Sequence, residues 1–356
     1  MNRADRFDIA KGIGILLVVL GHLEYISEPL RYFIVSFHMP LFFVISGMLM
    51  CVVGEEKKEP ARFVKGKLSR MGFPYLVYTI AYLIIEIIYG HFTGTFQKWT
   101  FIQDIWQGVC LYGISVLWFL PSMFFGMLIL YFLRRKLSHK ATAITVVILT
   151  VSAYGLNFLL EMYRSATVFE LVLSELYYPM AMVLRSVIAV FYLAVGYYGQ
   201  YLISKKKIEL NAPLKIVIAV LLLGAVVFLS RVNGAVDIHF LIFGNPFIYI
   251  FNSLAGSAAV MLISSAAEKY SGTIPGRIVR YYGVNSLTVM ATHINFYVLY
   301  ASILLVIHLM QYITHAKGYL FCPLIVFFVF VAEAFVIEGI KILKKIVTPK
   351  EKKLSI

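Results

Sequence analysis

Acidic charge is scarce in this chain. Only 18 of its 356 residues are Asp or Glu, against 32 Lys or Arg, and charged residues total 14%. A soluble domain carries about 25% charged residues and about 45–50% apolar ones. Here 61% are hydrophobic and the mean hydropathy is +0.84, which excludes an ordinary soluble protein and indicates a polytopic membrane protein. Cysteine is nearly absent. Cys51, Cys110 and Cys322 stand alone, without metal-ligand or redox spacing, and read as small packing residues. The first apolar stretch has no small-residue cleavage site and runs straight into the next, so it reads as part of the mature protein. No sequence repeat, low-complexity tract or soluble domain is evident, and residues 1–356 read as one unit.

The long apolar runs are what remains. Ten candidate helices lie near 9–25, 31–53, 71–90, 114–133, 141–160, 178–203, 213–230, 246–266, 283–310 and 319–342. A helical bundle is the expected all-α fold, because a helix satisfies its own backbone in lipid. The net charge of +14 does not indicate nucleic acid, because its placement is a topology signal. Lys and Arg collect on alternate connections: Arg3 and Arg6; Lys57 to Arg70; Arg134 to Lys140; Lys205 to Lys207; Lys269 to Arg280; and Lys344 to Lys353. The opposite connections hold only scattered cations such as Arg31, Lys98, Arg164, Arg231 and Lys317. This asymmetry predicts that both termini are cytoplasmic. Residues 91–113, with Trp99, Phe101, Trp106 and Tyr112, read as an outer interfacial or re-entrant segment.

Ionisable groups inside a membrane are costly and point to function. Asp8, Lys11 and His22 flank or lie in the first span, and His38 lies in the second. Lys11 and His22 are eleven residues apart, near three turns, and share a helix face with a rise of about 16 Å. Counting rise along each span puts His22, His38 and His293 at similar depth, where they could line one cavity. Structural interhelical hydrogen bonds are the plainer reading for His38 and His293. Lys11 reads either as a snorkelling or Asp8-paired lysine, or as a cation facing an anionic ligand. Lys67 and Arg70, before Pro74, can likewise face an anionic ligand, although basic residues there are expected from topology alone. Arg185, Glu86 and Glu333 are further ionisable groups inside predicted spans.

Together these residues make the chain resemble the acyltransferase 3 family of integral-membrane O-acyltransferases. Asp8, Lys11 and His22 resemble its first-helix pattern, a basic residue followed after ten residues by histidine. Lysine stands where arginine is commoner, giving a point charge in place of a bidentate fork. Phe37-His38-Met39-Pro40-Leu41-Phe42-Phe43 with Ser46-Gly47 resembles the second-helix pattern, and Arg70 to Tyr75 the entry to the third. Leu117-Trp118-Phe119-Leu120, Phe191 to Tyr197, and Gly283 to Leu287 with His293 resemble later motifs, in order along the whole chain. The resemblance implies a stand-alone transferase without the esterase-like domain of some members. It would move an acyl group, usually acetyl, from cytoplasmic acyl-CoA to a hydroxyl of a cell-surface or lipid-linked glycan. No permanently bound cofactor or metal is implied.

In that reading His22 is the general base, with His38 as a second catalytic candidate. A positioned neutral histidine suits removal of a hydroxyl proton. Lys11, Lys67 and Arg70 would hold the CoA phosphates. Asp8, Ser46, Trp118, Arg185 and His293 are supporting candidates. The competing class is a transporter or flippase of lipid-linked glycans. That class would favour inverted repeats and broken-helix pairs, and neither is evident in the sequence. A glycan polymerase is a third possibility, for which longer polar outer loops would be expected.

Overall fold

The computed structural model describes residues 5–164, 170–207, 209–312 and 320–347. Arg3, Lys317, Lys350, Lys352 and Lys353, which enter the charge asymmetry, lie outside the described residues. The helices are α1 (Asp5–Gly21), α2 (Glu28–Val35), α3 (His38–Val53), α4 (Pro60–Lys67), α5 (Phe73–Thr93), α6 (Lys98–Val109), α7 (Phe119–Lys136) and α8 (His139–Arg164). They continue with α9 (Glu170–Lys206), α10 (Ala212–Asn233), α11 (Pro246–Ala267), α12 (Ile274–Val284), α13 (Ser286–Thr292), α14 (Val298–Tyr312) and α15 (Phe321–Val347). The described residues hold no strand, and a single β-bridge joins Asp237 to Ile242. The protein is all-α and membrane-spanning.

Eight helical stretches among the described residues are long and apolar enough to cross a membrane. The other two expected spans are shorter: α1 has 17 residues, and the apolar part of α14 covers Val298–Met310. The run expected as one helix over 283–310 is instead broken at Asn285 and again over 293–297, where Tyr297 has a φ of 58°. The expected 31–53 helix is broken too, at Ser36 and Phe37. Pro40 accounts for that break. A proline ring clashes with the carbonyl four residues earlier, here Ser36, and the helix cannot run through. The freed Ser36 carbonyl accepts a hydrogen bond from the Ser253 hydroxyl of α11 at 2.9 Å, as a break at membrane depth requires. Pro74 acts similarly. The turn at Leu68–Gly72 widens to π-helical geometry, moving the Arg70 carbonyl out of the ring's way.

Small residues set the closest contacts. α3 and α9 pack face to face through Gly47 and Gly196, and a Cβ on either would overlap the partner backbone at Leu193 or Val44. α1 and α12 do the same through Gly12 and Gly283. This is how membrane helices associate without a hydrophobic driving force between them. Residues 91–113 form α6, an aromatic helix joined to α5 by the Tyr75 hydroxyl, which donates to the Gly108 carbonyl at 2.9 Å.

Candidate functional site

The predicted histidines share a feature that the sequence did not reveal: each stands at a helix end. His22 follows the last residue of α1, His38 begins α3, and His293 follows α13. Irregular backbone inside a membrane protein is tolerated where it is buried in protein or lines a cavity. His22 and His293 face each other with ring centroids 5.2 Å apart and planes at 49°. His38 lies within electrostatic range of His22, as do Arg31 and His239. Arg31 also closes the turn after α1, its guanidinium donating to the Leu23 carbonyl at 2.9 Å.

Backbone carbonyls set the state of two rings. His38 Nδ1 is 3.0 Å from the Ile34 carbonyl, and His293 Nδ1 is 2.8 Å from that of Val289. A carbonyl only accepts, so Nδ1 carries the proton in both and each Nε2 presents a lone pair. His293 Nε2 is buried and has no hydrogen-bond partner among the described residues. His22 differs. Its side chain is exposed at the end of α1, although many protein atoms lie around it. Next to His293, the Thr292 hydroxyl lies 2.7 and 2.9 Å from the two oxygens of Glu333, which is wholly buried on α15. Ser46 is half-buried on α3, and Trp118 is buried where α7 begins. Glu86 approaches Asp104 of α6.

The cations separate into two kinds. Lys11 pairs with Asp8 at 2.8 Å, one turn back on α1. Lys67 is buried and pairs with Glu55 at 2.6 Å, and Glu55 also draws Lys58 to 3.3 Å. Arg70 and Arg62 are exposed. With Lys58, Lys67, Glu55, Phe63 and Gly66 they line a cleft of about 240 Å³. Phe63 forms its inner wall, stacked on Tyr131 of α7 at 4.0 Å. Four cations against one carboxylate give this cleft a net positive charge, and Gly66 leaves room beside them.

A second group, which sequence reasoning placed only in part, surrounds Arg185. This residue is fully buried in α9, with Tyr112, Trp118 and His239 around it. His239, on the connection between α10 and α11, was not anticipated. A lone histidine in a short loop between Gly234 and Gly244 carries no signal that the loop folds inward. Among the described residues no three His, Cys, Asp or Glu side chains gather so as to hold a metal ion. A family model described as an acyltransferase domain matches residues 5–336. No curated protein and no solved structure matches the chain.

Proposed function

Because the chain belongs to the acyltransferase 3 family, we propose that it moves an acyl group, in the first instance acetyl, from acyl-CoA to a hydroxyl of a cell-surface or lipid-linked glycan. One observation carries the assignment of the base. His22 is exposed at the end of α1 and faces His293, and the Nδ1 hydrogen bonds of His38 and His293 leave their Nε2 atoms as lone-pair bearers. A sugar hydroxyl gives its proton to His22 as its oxygen attacks the thioester carbonyl. The tetrahedral intermediate then collapses with cleavage of the C–S bond. His22 returns the proton to the departing thiolate and is neutral again. His38 and His293 position the reactants or share the proton through their Nε2 atoms.

The donor's phosphates bind at the basic cleft, at the end of the bundle read as cytoplasmic. Arg70 is the chief contact, joined by Arg62 and Lys58, whereas Lys67 shapes the cleft through its pair with Glu55. Lys11, paired with Asp8 and about 16 Å from His22 along α1, would meet the donor on its way to the base. The protein works in the cell membrane with both termini on the cytoplasmic side, and no resident cofactor is needed. The helix breaks at Ser36–Phe37 and 293–297 would also suit a flippase. Mass spectrometry of surface glycans from cells with and without the gene separates the two. Loss of acetyl substituents from glycans of unchanged amount supports transfer, and loss of the glycans themselves supports transport.

A further inference from the structure

Arg185 is wholly buried, and two of its five N–H donors have assigned partners. Nε donates to the Ala181 carbonyl at 3.1 Å and Nη2 to the Tyr112 carbonyl at 3.0 Å. The guanidinium carbon lies 4.2 Å from the centre of the Tyr112 ring and 5.4 Å from that of Trp118. Nη1 is buried with no hydrogen-bond partner among the described residues. The five ion pairs found among those residues all lie elsewhere. The nearby carboxylate, Asp237, accepts instead from the backbone N–H of His239 at 2.7 Å. A buried cation without a paired anion is strongly unfavourable. Two carbonyls and two aromatic faces offset part of that cost, and the two N–H groups of Nη1 are left for an anion.

His239 flanks the same two rings. It stacks on Trp118 with centroids 5.7 Å apart and planes at 5°, and lies 5.2 Å from Tyr112. Its Nε2 is likewise buried and has no hydrogen-bond partner among the described residues. The loops carrying these groups hold strained backbone. Leu111, Ser115 and Leu241 have φ values of 57°, 50° and 59°, and at Gly113 (φ 86°) a Cβ would strike the Trp118 backbone. Such strain persists where surrounding structure fixes it, commonly at binding sites.

We propose that the N–H groups of Arg185 Nη1 and His239 Nε2 donate to the anionic group, carboxylate or phosphate, of an acidic saccharide bound beside Tyr112 and Trp118. This deepens the acyl-transfer reading and rests on it, the saccharide being the acceptor. The donor cannot account for the site. Trp118 precedes α7 and Arg135, in its last turn, donates to the carbonyl of Lys58 in the basic cleft, so the two sites stand about 25 Å apart. His239 in turn lies within electrostatic range of His22, so a saccharide anchored here extends toward the base. A planar guanidinium suits a carboxylate or phosphate better than a lysine would.

The test uses the purified full-length protein in detergent, with thermal unfolding recorded against D-glucuronate, D-glucose 6-phosphate, D-glucose and acetate at constant ionic strength. Saturable stabilisation by glucuronate assigns a carboxylate site, and by glucose 6-phosphate a phosphate site. Glucose and acetate should give none. Arg185→Gln should weaken the effect ten- to a hundredfold, the loss of one charge-assisted contact. Arg185 also holds the Tyr112 loop, so His239→Ala, which removes no hydrogen bond from Nε2, serves as the second variant and should weaken binding several-fold. Stabilisation by neither anionic sugar, equal stabilisation by glucose, or undiminished binding in both variants overturns the proposal. Acyl-CoA binding is read on the same preparations. Anion binding absent with acyl-CoA binding intact refutes this site alone, whereas the reverse refutes the acyl-transfer reading.

Discussion

Replacing Lys67 should damage folding more than donor binding, although its position beside Arg70 invites the opposite view. The Lys67 ammonium and Glu55 carboxylate lie 2.6 Å apart, with side chains 7% and 8% exposed. Lys67→Gln leaves Glu55 charged and buried. Breaking one side of a buried pair costs about 3–5 kcal/mol because the remaining charge is uncompensated. Lys58, already 3.3 Å from the other Glu55 oxygen, brings the expectation to the lower end, about 3 kcal/mol. Glu55→Gln combined with Lys67→Gln should recover most of that loss, since a neutral pair leaves no stranded charge. Arg70→Gln and Arg62→Gln, both at exposed positions, should leave stability nearly unchanged while weakening acyl-CoA binding about tenfold or more. Thermal unfolding and acyl-CoA affinity, measured in one detergent across all five proteins including wild type, decide the matter. A stable Lys67→Gln variant with a selective loss of affinity would refute this division of roles.

Three further outcomes follow from the packing and the charges. Gly47→Ala sets a Cβ against the Leu193 backbone and should cost about 1–3 kcal/mol, whereas Gly199→Ala meets open space and should be neutral or stabilising; melting temperatures compare them. Thr292→Val removes the hydroxyl that Glu333 holds in a fully buried position and should cost about 1–3 kcal/mol, read the same way. Burial, with Arg185 nearby, holds the loop residue His239 down to about 3, so stability should be full above about pH 6.5 and fall as pH drops from there toward 3, the unfolded state taking up the proton first. Burial raises Asp237, which opposes this in part, since its native carboxyl takes a proton before the unfolded one does; melting temperature against pH in wild type and His239→Gln should show a shallower acid limb in the variant.

The sequence made the membrane class and most of the span positions legible, because apolar length is a strong signal and each span must satisfy its own backbone. The breaks were harder. Pro40 stood in plain view, yet only the fold shows that Ser253 supplies the hydrogen bond that makes a break at Ser36 tolerable. Rise counting along ideal helices placed His22, His38 and His293 at one depth. It could not show that each sits at a helix end, since local propensity is weak beside tertiary packing there. The Asp8–Lys11 pair was legible as one of two readings because the residues stand three apart on one helix, whereas Lys67 pairs with Glu55, twelve residues away across a turn, where spacing gives no signal. His239 was illegible for a further reason: it reaches the site through a loop whose inward path is set by contacts with Trp118 and Tyr112, distant in sequence.

The central claim is that His22 is the base. Its most direct test is acyl transfer by purified His22→Gln protein, which keeps a hydrogen-bonding side chain in an accessible position but has no basic nitrogen. With acyl-CoA binding and melting temperature matching wild type, transfer should fall about 10²–10⁴-fold. Transfer within a few-fold of wild type in that folded, donor-binding variant would contradict the account.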